Sequence, residues 1–211
     1  MLGFRHVAGV DEAGRGCLFG PVFAGAVILS PERPIRGLRD SKQLEPGRRE
    51  VLGERIRERA LAWAVRSVDA IEIDRINIYQ ASRLAMKCAV EALSPPADYV
   101  LVDALTLAVR CPQQALIHGD ARCFSIAAAS ILAKVERDAC MALMDAHYPQ
   151  YCLARNKGYG SPEHLRALRQ YGATEHHRAS FAPVRQVGPP RGVWQLPLFG
   201  DRAQTAAGGC D

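Results

Sequence analysis

Two apolar runs open the chain, "RHVAGVD" (5–11) and "PVFAGAVIL" (21–29), and a glycine-rich turn separates them. Both read as strands with little polar surface. "ALAWAVRSV" (60–68) alternates apolar and polar positions in the manner of a third, half-buried strand, so the first three strands predict an antiparallel meander. Between the second and third lies "EPGRREVLGERIRERA" (45–60), charged and helical in period, with Val51, Leu52 and Ile56 inward. Helical spacing returns from Asp69 to Leu93 and stops at "SPP". "ADYVLVDAL" (97–105) is a dense, β-branched strand, and "ALIHGD" (115–120) is a candidate fifth. With the inserted helix set aside, the order is βββαβ.

From Phe124 the pattern is helical again. In "FSIAAASILAKVERDACMALMDA" a stripe of Phe124, Ala128, Ile131, Val135, Ala139 and Ala142 is expected to face inward, while Ser130, Lys134, Arg137 and Asp138 share another face. Such a helix packs through its small residues. "GSPEHLRALRQYG" has Ser161 as N-cap, Pro162 at the first helical position and Gly172 as its stop. After Val187 the composition turns to Pro, Gly and Gln. The expected organisation is therefore one domain over 1–187 and an extended tail over 188–211, with no internal repeat.

Composition narrows this only slightly. The 211 residues hold 27 Lys and Arg against 22 Asp and Glu, a net charge of +5 that favours a polyanionic partner weakly. The distribution is more pointed: from Arg155 to Arg191 there are seven Lys/Arg and three His but two acids, Glu163 and Glu175, so one face is expected to be basic or simply solvated. Seven cysteines without a C-x-x-C pair argue against a disulfide framework or a zinc module and point to reduced thiols. The longest apolar run, "CLFGPVFAGAVIL", is interrupted by Gly and Pro and too short to span a bilayer, and the N-terminus lacks a secretory pattern. A soluble, cytoplasmic, monomeric protein without a membrane partner is the expectation.

The candidate chemistry lies in carboxylates. Asp11 and Glu12 adjoin where the first apolar strand runs out, and neighbouring strand side chains point to opposite faces, so convergence requires the strand to end or bulge between them. Gly14 and Gly16 supply backbone freedom for that. Asp103 closes the fourth strand on the face of Tyr99 and Leu101, beside Asp11 if the two strands are neighbours. Asp120 sits in the loop before the small-residue helix. Four carboxylates without a nearby His or Cys set suit Mg²⁺ or Mn²⁺ better than zinc, and a self-repelling cluster of this kind serves phosphodiester hydrolysis when two cations occupy it. Taken singly, each acid is as well explained as a cap, a turn former or half of an ion pair, so spacing leaves both readings open. Asp138 is a rival fourth acid, although Lys134 one helical turn earlier offers it a structural partner.

Five motifs in one order, "AGVDEAGRG", "DSKQL", "YVLVDA", "GDARCFSIAAASILAKVERD" and "NKGYGSPEHL", closely resemble the ribonuclease HII family over about His6 to Val187. The resemblance implies an α/β, RNase H-like fold, with a mixed central β-sheet flanked by α-helices. It also implies an endonuclease that cuts RNA in RNA–DNA hybrids and nicks 5′ to ribonucleotides embedded in duplex DNA, leaving a 3′-OH and a 5′-phosphate. On that basis the catalytic, metal-binding acids are Asp11, Glu12, Asp103 and Asp120, the last preferred to Asp138 for its "GDA" position. They are expected at the exposed edge of the sheet, with two Mg²⁺ or Mn²⁺ ions. The family's contacts to the ribose 2′-OH fall on Gly14, Arg15, Gly16 and Tyr159. Ser41 and Lys42 of "DSK" resemble a backbone-phosphate contact, and Asn77 and His164 also fall at familiar substrate-side positions. "EHHR" (175–178) has no metal-ligand spacing and reads as packing and phosphate-side polarity.

Two departures from the family pattern stand out. Cys17 occupies a position commonly held by proline, where a small apolar thiol fits. "DALTL" follows the fourth strand where many members have Asp-Gly-Asn, replacing polar neighbours of Asp103 with apolar ones, a change expected to affect support of the metal site. In the tail, "QLPLF", with Gln195, Leu196, Leu198 and Phe199, resembles the short peptide by which bacterial replication proteins bind the DNA sliding clamp. The alternative is that these apolar residues fold back on the body. A noncatalytic hybrid-binding or clamp-associated protein is the rival reading of the whole chain. A resolvase-like nuclease of the same fold would lack the "GRG" and "KGYG" pair, and both are present.

Overall fold

The computed structural model describes residues 3–187. Five strands form one sheet: β1 (Val7–Ala13), β2 (Val22–Ile28), β3 (Ala62–Val68), β4 (Tyr99–Asp103) and β5 (Gln113–Leu116), in the order β3-β2-β1-β4-β5. The predicted meander is there, β2 pairing antiparallel with both β1 and β3, while β4 runs parallel to β1 and β5 parallel to β4. A mixed sheet of this order puts β1 at the centre, with a parallel neighbour on one side only.

The described helices are α1 (Pro46–Arg59), α2 (Ala70–Ile76), α3 (Ile78–Glu91), α4 (Gly119–Arg122), α5 (Phe124–His147), α6 (Leu153–Asn156), α7 (Pro162–Tyr171) and α8 (Ala182–Arg185), with single 3₁₀ turns at Ser41–Gln43 and Pro149–Tyr151. None is long and apolar enough to cross a membrane. Even-numbered residues of β1 and β4 (Ala8, Val10, Val100, Val102) join Ala81, Ala85, Met86 and Ala89 of α3 in the main core. The opposite face carries α5, and here the sheet supplies glycines. A Cβ on Gly9 would stand 2.1 Å from the Ser125 carbonyl carbon, and one on Gly25 would stand 2.4 Å from the Ala129 carbonyl oxygen. The alanines of α5 therefore meet strand backbone directly, at a separation no larger side chain allows.

Several expectations are corrected. Val51 is exposed, because the inward face of α1 is Leu52, Gly53 and Ile56. The single helix expected from Asp69 to Leu93 is two, broken at Asn77, whose φ of 69° lies in the left-handed region. The stripe assigned to α5 is only partly right: Ala128 and Ile131 are buried, but Phe124, Ala139 and Ala142 are exposed and Arg137 is fully buried. The first half of α5 is enclosed between the sheet and α1, so its burial has no period from Ile126 to Ala133. The second half turns Met141 and Met144 into a separate cluster with Phe19, Tyr148, Tyr151 and Leu168. The fifth strand ends at Leu116, leaving Ile117 and His118 outside it.

Candidate active site

β1 does not stop or bulge between the two acids. It pairs with β2 through Asp11↔Gly25, Glu12↔Ala24 and Ala13↔Phe23, whereas its ladder with β4 ends at Val10↔Val102. The acids thus stand where the parallel pair runs out, at the C-terminal ends of two central strands and not at a lateral edge of the sheet. Asp11 shares its face with Gly9 and points to α5, where Ser130 is near enough to pull its carboxyl down; its Oδ1 accepts from Glu12 N–H at 2.7 Å. Asp103, of the same parity on β4, accepts a 2.7 Å hydrogen bond from Gly119 N–H at the start of α4. Asp120 follows within that same short helix. Glu12, one residue on from Asp11, is turned to Arg15, whose Nη1 lies 3.3 Å away.

The electrostatics are those of a cluster in need of cations. Asp11 is 5% exposed. Burial first, then the charges of Glu12 and Asp103, push its carboxyl well above the usual range, with Ser130 pulling the other way. Glu12 is raised by burial against the opposing pull of Arg15. Asp120 is raised by burial and by Asp40 and Asp103, while Lys42 lowers it. The donors are all carboxylate oxygens, the chemistry that hard divalent ions select. Among the described residues, no three acids, histidines or cysteines gather tightly enough to enclose an ion as they stand. Glu12 is engaged by Arg15, and Asp103 by Gly119. Asp138, the rival acid, is held by Lys134 Nζ at 2.7 Å and Arg49 Nη1 at 3.3 Å, which gives it a structural post on α5.

Beside the acids lies a turn with its own constraints. Gly14 has φ of 95°, and a Cβ there would stand 2.1 Å from Nε of the buried Arg137. Gly16 is exposed, and a Cβ on it would lie 3.9 Å from Tyr159 Cε1. The turn therefore meets the tyrosine ring at Gly16, where no side chain stands between them, while Gly14 gives room to Arg137. Tyr159 is 44% exposed, and Arg137 Cζ lies over its ring, 5.6 Å from the ring centroid. Cys17, next in the chain, is wholly buried, and burial pushes its thiol up, so it sits there as a neutral apolar group.

This arrangement can be compared with known proteins. The family model for ribonuclease HII matches residues 8–184. The chain belongs to that family. A ribonuclease HII of Solibacter usitatus is 67% identical over 183 residues, covering 87% of this chain and 80% of the relative. Among solved structures, the ribonuclease H2 of Pyrococcus horikoshii superposes with a TM-score of 0.75 at 27% identity, covering 87% of this chain and 97% of the other. The RNase HII of a PCNA:RNase HII complex from Archaeoglobus fulgidus does so with 0.71 at 25%, covering 91% and 98%. The mixed sheet with its helices is the RNase H-like fold.

Within this ribonuclease HII framework, the remaining residues singled out on the substrate side divide sharply. Lys42 is exposed and near enough to Asp120 to act on its charge. Ser41 is buried, with its hydroxyl 2.9 Å from that of Ser130, so it braces the residue behind Asp11 and offers no hydroxyl to a phosphate. Asn77 caps α3, its Oδ1 accepting from Gln80 N–H at 3.1 Å. His164 is wholly buried, with Nδ1 2.9 Å from the Tyr159 carbonyl oxygen. Ser41 and His164 are thus buried in the framework, while Asn77 stays exposed and its cap uses only Oδ1. The basic stretch from 155 is likewise partly internal: His164, His177 and Arg178 are buried, and Arg155 pairs with Glu163, leaving Arg166, Arg169 and Arg185 exposed. Sequence reasoning missed Arg137, Arg178 and Ser130 as supports of the site. Only their partners mark them, and those partners come from distant segments. The tail peptide 195–199 lies outside the described residues.

Proposed function

We propose that this ribonuclease HII-family chain is a divalent-metal-dependent endoribonuclease of RNA–DNA hybrids that also nicks duplex DNA 5′ to an embedded ribonucleotide. The observation that carries the reading is the adjacency, on one strand end, of Asp11 and Glu12 with a glycine turn that meets Tyr159. Asp11, Glu12, Asp103 and Asp120 would hold two ions, Mg²⁺ or Mn²⁺. Bound there, such ions supply positive charge to the phosphate oxygens and acidify an attacking water. The protein's own share is to place them. Gly119 N–H orients Asp103, Ser130 stands beside Asp11, and Arg15 keeps Glu12 at the mouth of the site.

Sugar selection is assigned to the turn and the ring. Backbone groups of Gly14–Gly16 can approach a 2′-OH without a side chain in the way, and Tyr159 closes the other side of the gap. Lys42, exposed beside Asp120, is the candidate phosphate contact. The domain reading follows: 1–187 as the catalytic body and 188–211 as a tail whose "QLPLF" engages a sliding clamp, in keeping with the PCNA complex formed by the Archaeoglobus relative. The test is a DNA duplex with one ribonucleotide, incubated with the protein and Mg²⁺ or Mn²⁺. One nick 5′ to the ribonucleotide, lost on chelation and absent from an all-DNA duplex, is expected. Binding without cutting would favour the noncatalytic reading, and cutting of the all-DNA duplex would remove the sugar check.

A further inference from the structure

Residues 17–20 run between two segments far away in sequence. On one side Leu18 N–H donates to Gly158 O at 2.8 Å. On the other, Gly20 N–H donates to His176 O at 2.8 Å and Arg178 N–H to Leu18 O at 2.9 Å, and Phe19 bridges to His177. The side chains of 177 and 178 then reach in opposite directions. Arg178 donates from Nη1 to the Arg15 carbonyl at 2.8 Å and from Nε to the Gly20 carbonyl at 3.0 Å. His177 Nε2 lies 3.2 Å from His164 Nε2, and His164 Nδ1 lies 2.9 Å from the Tyr159 carbonyl oxygen.

The proton positions in this chain follow from its far end. Thr174 N–H, which can only donate, points at His177 Nδ1 from 3.0 Å, so that nitrogen carries no proton. A neutral His177 then has its proton on Nε2 and gives it to His164 Nε2. That leaves the His164 proton on Nδ1, aimed at the Tyr159 carbonyl. Thr174 Oγ1 also lies 2.9 Å from His177 Nδ1, and the Tyr159 carbonyl accepts from Ser161 N–H as well; a second proton on either ring would set two donors face to face. His164 is wholly buried and His177 nearly so, packed edge-on against Phe19 and Tyr151, with ring centroids of His177 4.8 and 4.7 Å from theirs.

We propose that His177 and Arg178 are positioning residues for sugar selection: the neutral His177–His164 relay holds the Tyr159 backbone while Arg178 holds the Arg15 backbone, so that one dipeptide sets the spacing between the two halves of the ribose contact. The inference rests on the reading of Gly14–Gly16 and Tyr159 as that contact. It differs from a packing role because it predicts selective damage.

The full chain is assayed with a duplex carrying one ribonucleotide, and the same duplex made entirely of DNA serves as a competitive inhibitor. The ratio of the all-DNA inhibition constant to the KM of the ribonucleotide substrate measures discrimination. His177→Phe, which keeps a flat ring and loses the relay, is expected to lower this ratio by about tenfold while leaving the all-DNA constant unchanged. His177→Gln, which keeps an N–H for His164, is expected to restore most of it. In a Tyr159→Ala background the His177→Phe change should cost little more, since both act on one contact. An equal change in both constants, or full additivity with Tyr159→Ala, overturns the proposal. Should His177→Phe fail to fold, Arg178→Lys decides through the same ratio. A wild-type protein with a ratio near one would instead refute the ribose-contact reading itself.

Discussion

The carboxylate end of β1 and β4 and the His–Arg cluster at residues 176–178 are both buried and polar, but they are satisfied in opposite ways. In the first, like charges stand near one another, with Arg15 on Glu12 and Gly119 N–H on Asp103, and burial and mutual repulsion drive Asp11, Glu12 and Asp120 upward. In the second, burial drives His164, His176 and His177 downward; His177 Nε2 meets His164 Nε2 and His164 Nδ1 meets the Tyr159 carbonyl, while His176 Nε2 and Arg178 Nη2 are buried without a partner. Burial disfavours the charged form in both clusters, but for the acids that adds to the repulsion between like charges, whereas for the histidines it leaves neutral rings that can bond one another.

The sharpest way to break the comparison is at the acids. Asp103→Asn keeps an acceptor for Gly119 N–H but removes a charge, and is expected to cut turnover with Mg²⁺ by a thousandfold or more, roughly, with duplex binding largely kept. Single-turnover cleavage beside a binding titration checks it. Next comes the packing that places these strands. Gly9→Ala drives a methyl into the Ser125 backbone and is expected to cost about 3 kcal/mol, read from the urea midpoint.

The histidines give a smaller effect with a definite sign. His177 is pushed down to about 3 by burial and its histidine neighbours, below its unfolded value, so its contribution to stability is present above about pH 6.5 and lost as pH falls. A loss on the order of 2 kcal/mol by pH 5 is expected from this residue, measured as the difference between wild type and His177→Gln across that range. The raised acids respond in the opposite direction, which is why the difference curve is the proper reading. The smallest effect concerns Ala104, whose φ of 54° lies in the left-handed region that favours glycine. Ala104→Gly is expected to raise stability by about 1 kcal/mol, seen as an increase in Tm.

How much of this was legible depends on whether a property is local. The meander, β4 and the capped α7 follow from period, Ser161 and Gly172, because strands and caps are local in sequence. Motif order singles out the four acids and the glycine turn, and the fold sets the acids near enough to act on one another's charge. What escaped are residues whose partners are remote. Ser41, Asn77 and His164 have the polarity of substrate contacts, but each is engaged by framework: Ser130, Gln80 N–H and the Tyr159 carbonyl. Arg137 shares a helical face with Lys134, yet the space opened by Gly14 and Gly158 draws it inside. Nothing in a helical wheel reports that. The apolar "LTL" after Asp103 is another case: Leu105 and Leu107 enter the main core, and Asp103 finds its partner at Gly119.

The pairing of Gly16 with Tyr159 has a consequence for the order of functions along the chain. All four acids have been synthesised by residue 120, but the ring that faces the glycine turn, and the arginine that holds that turn, come only with residues 159 and 178. On the proposed assignment, the residues of cleavage therefore precede those of discrimination along the chain, so the last helical segments of the body complete the sugar contact and leave the set of acids unchanged.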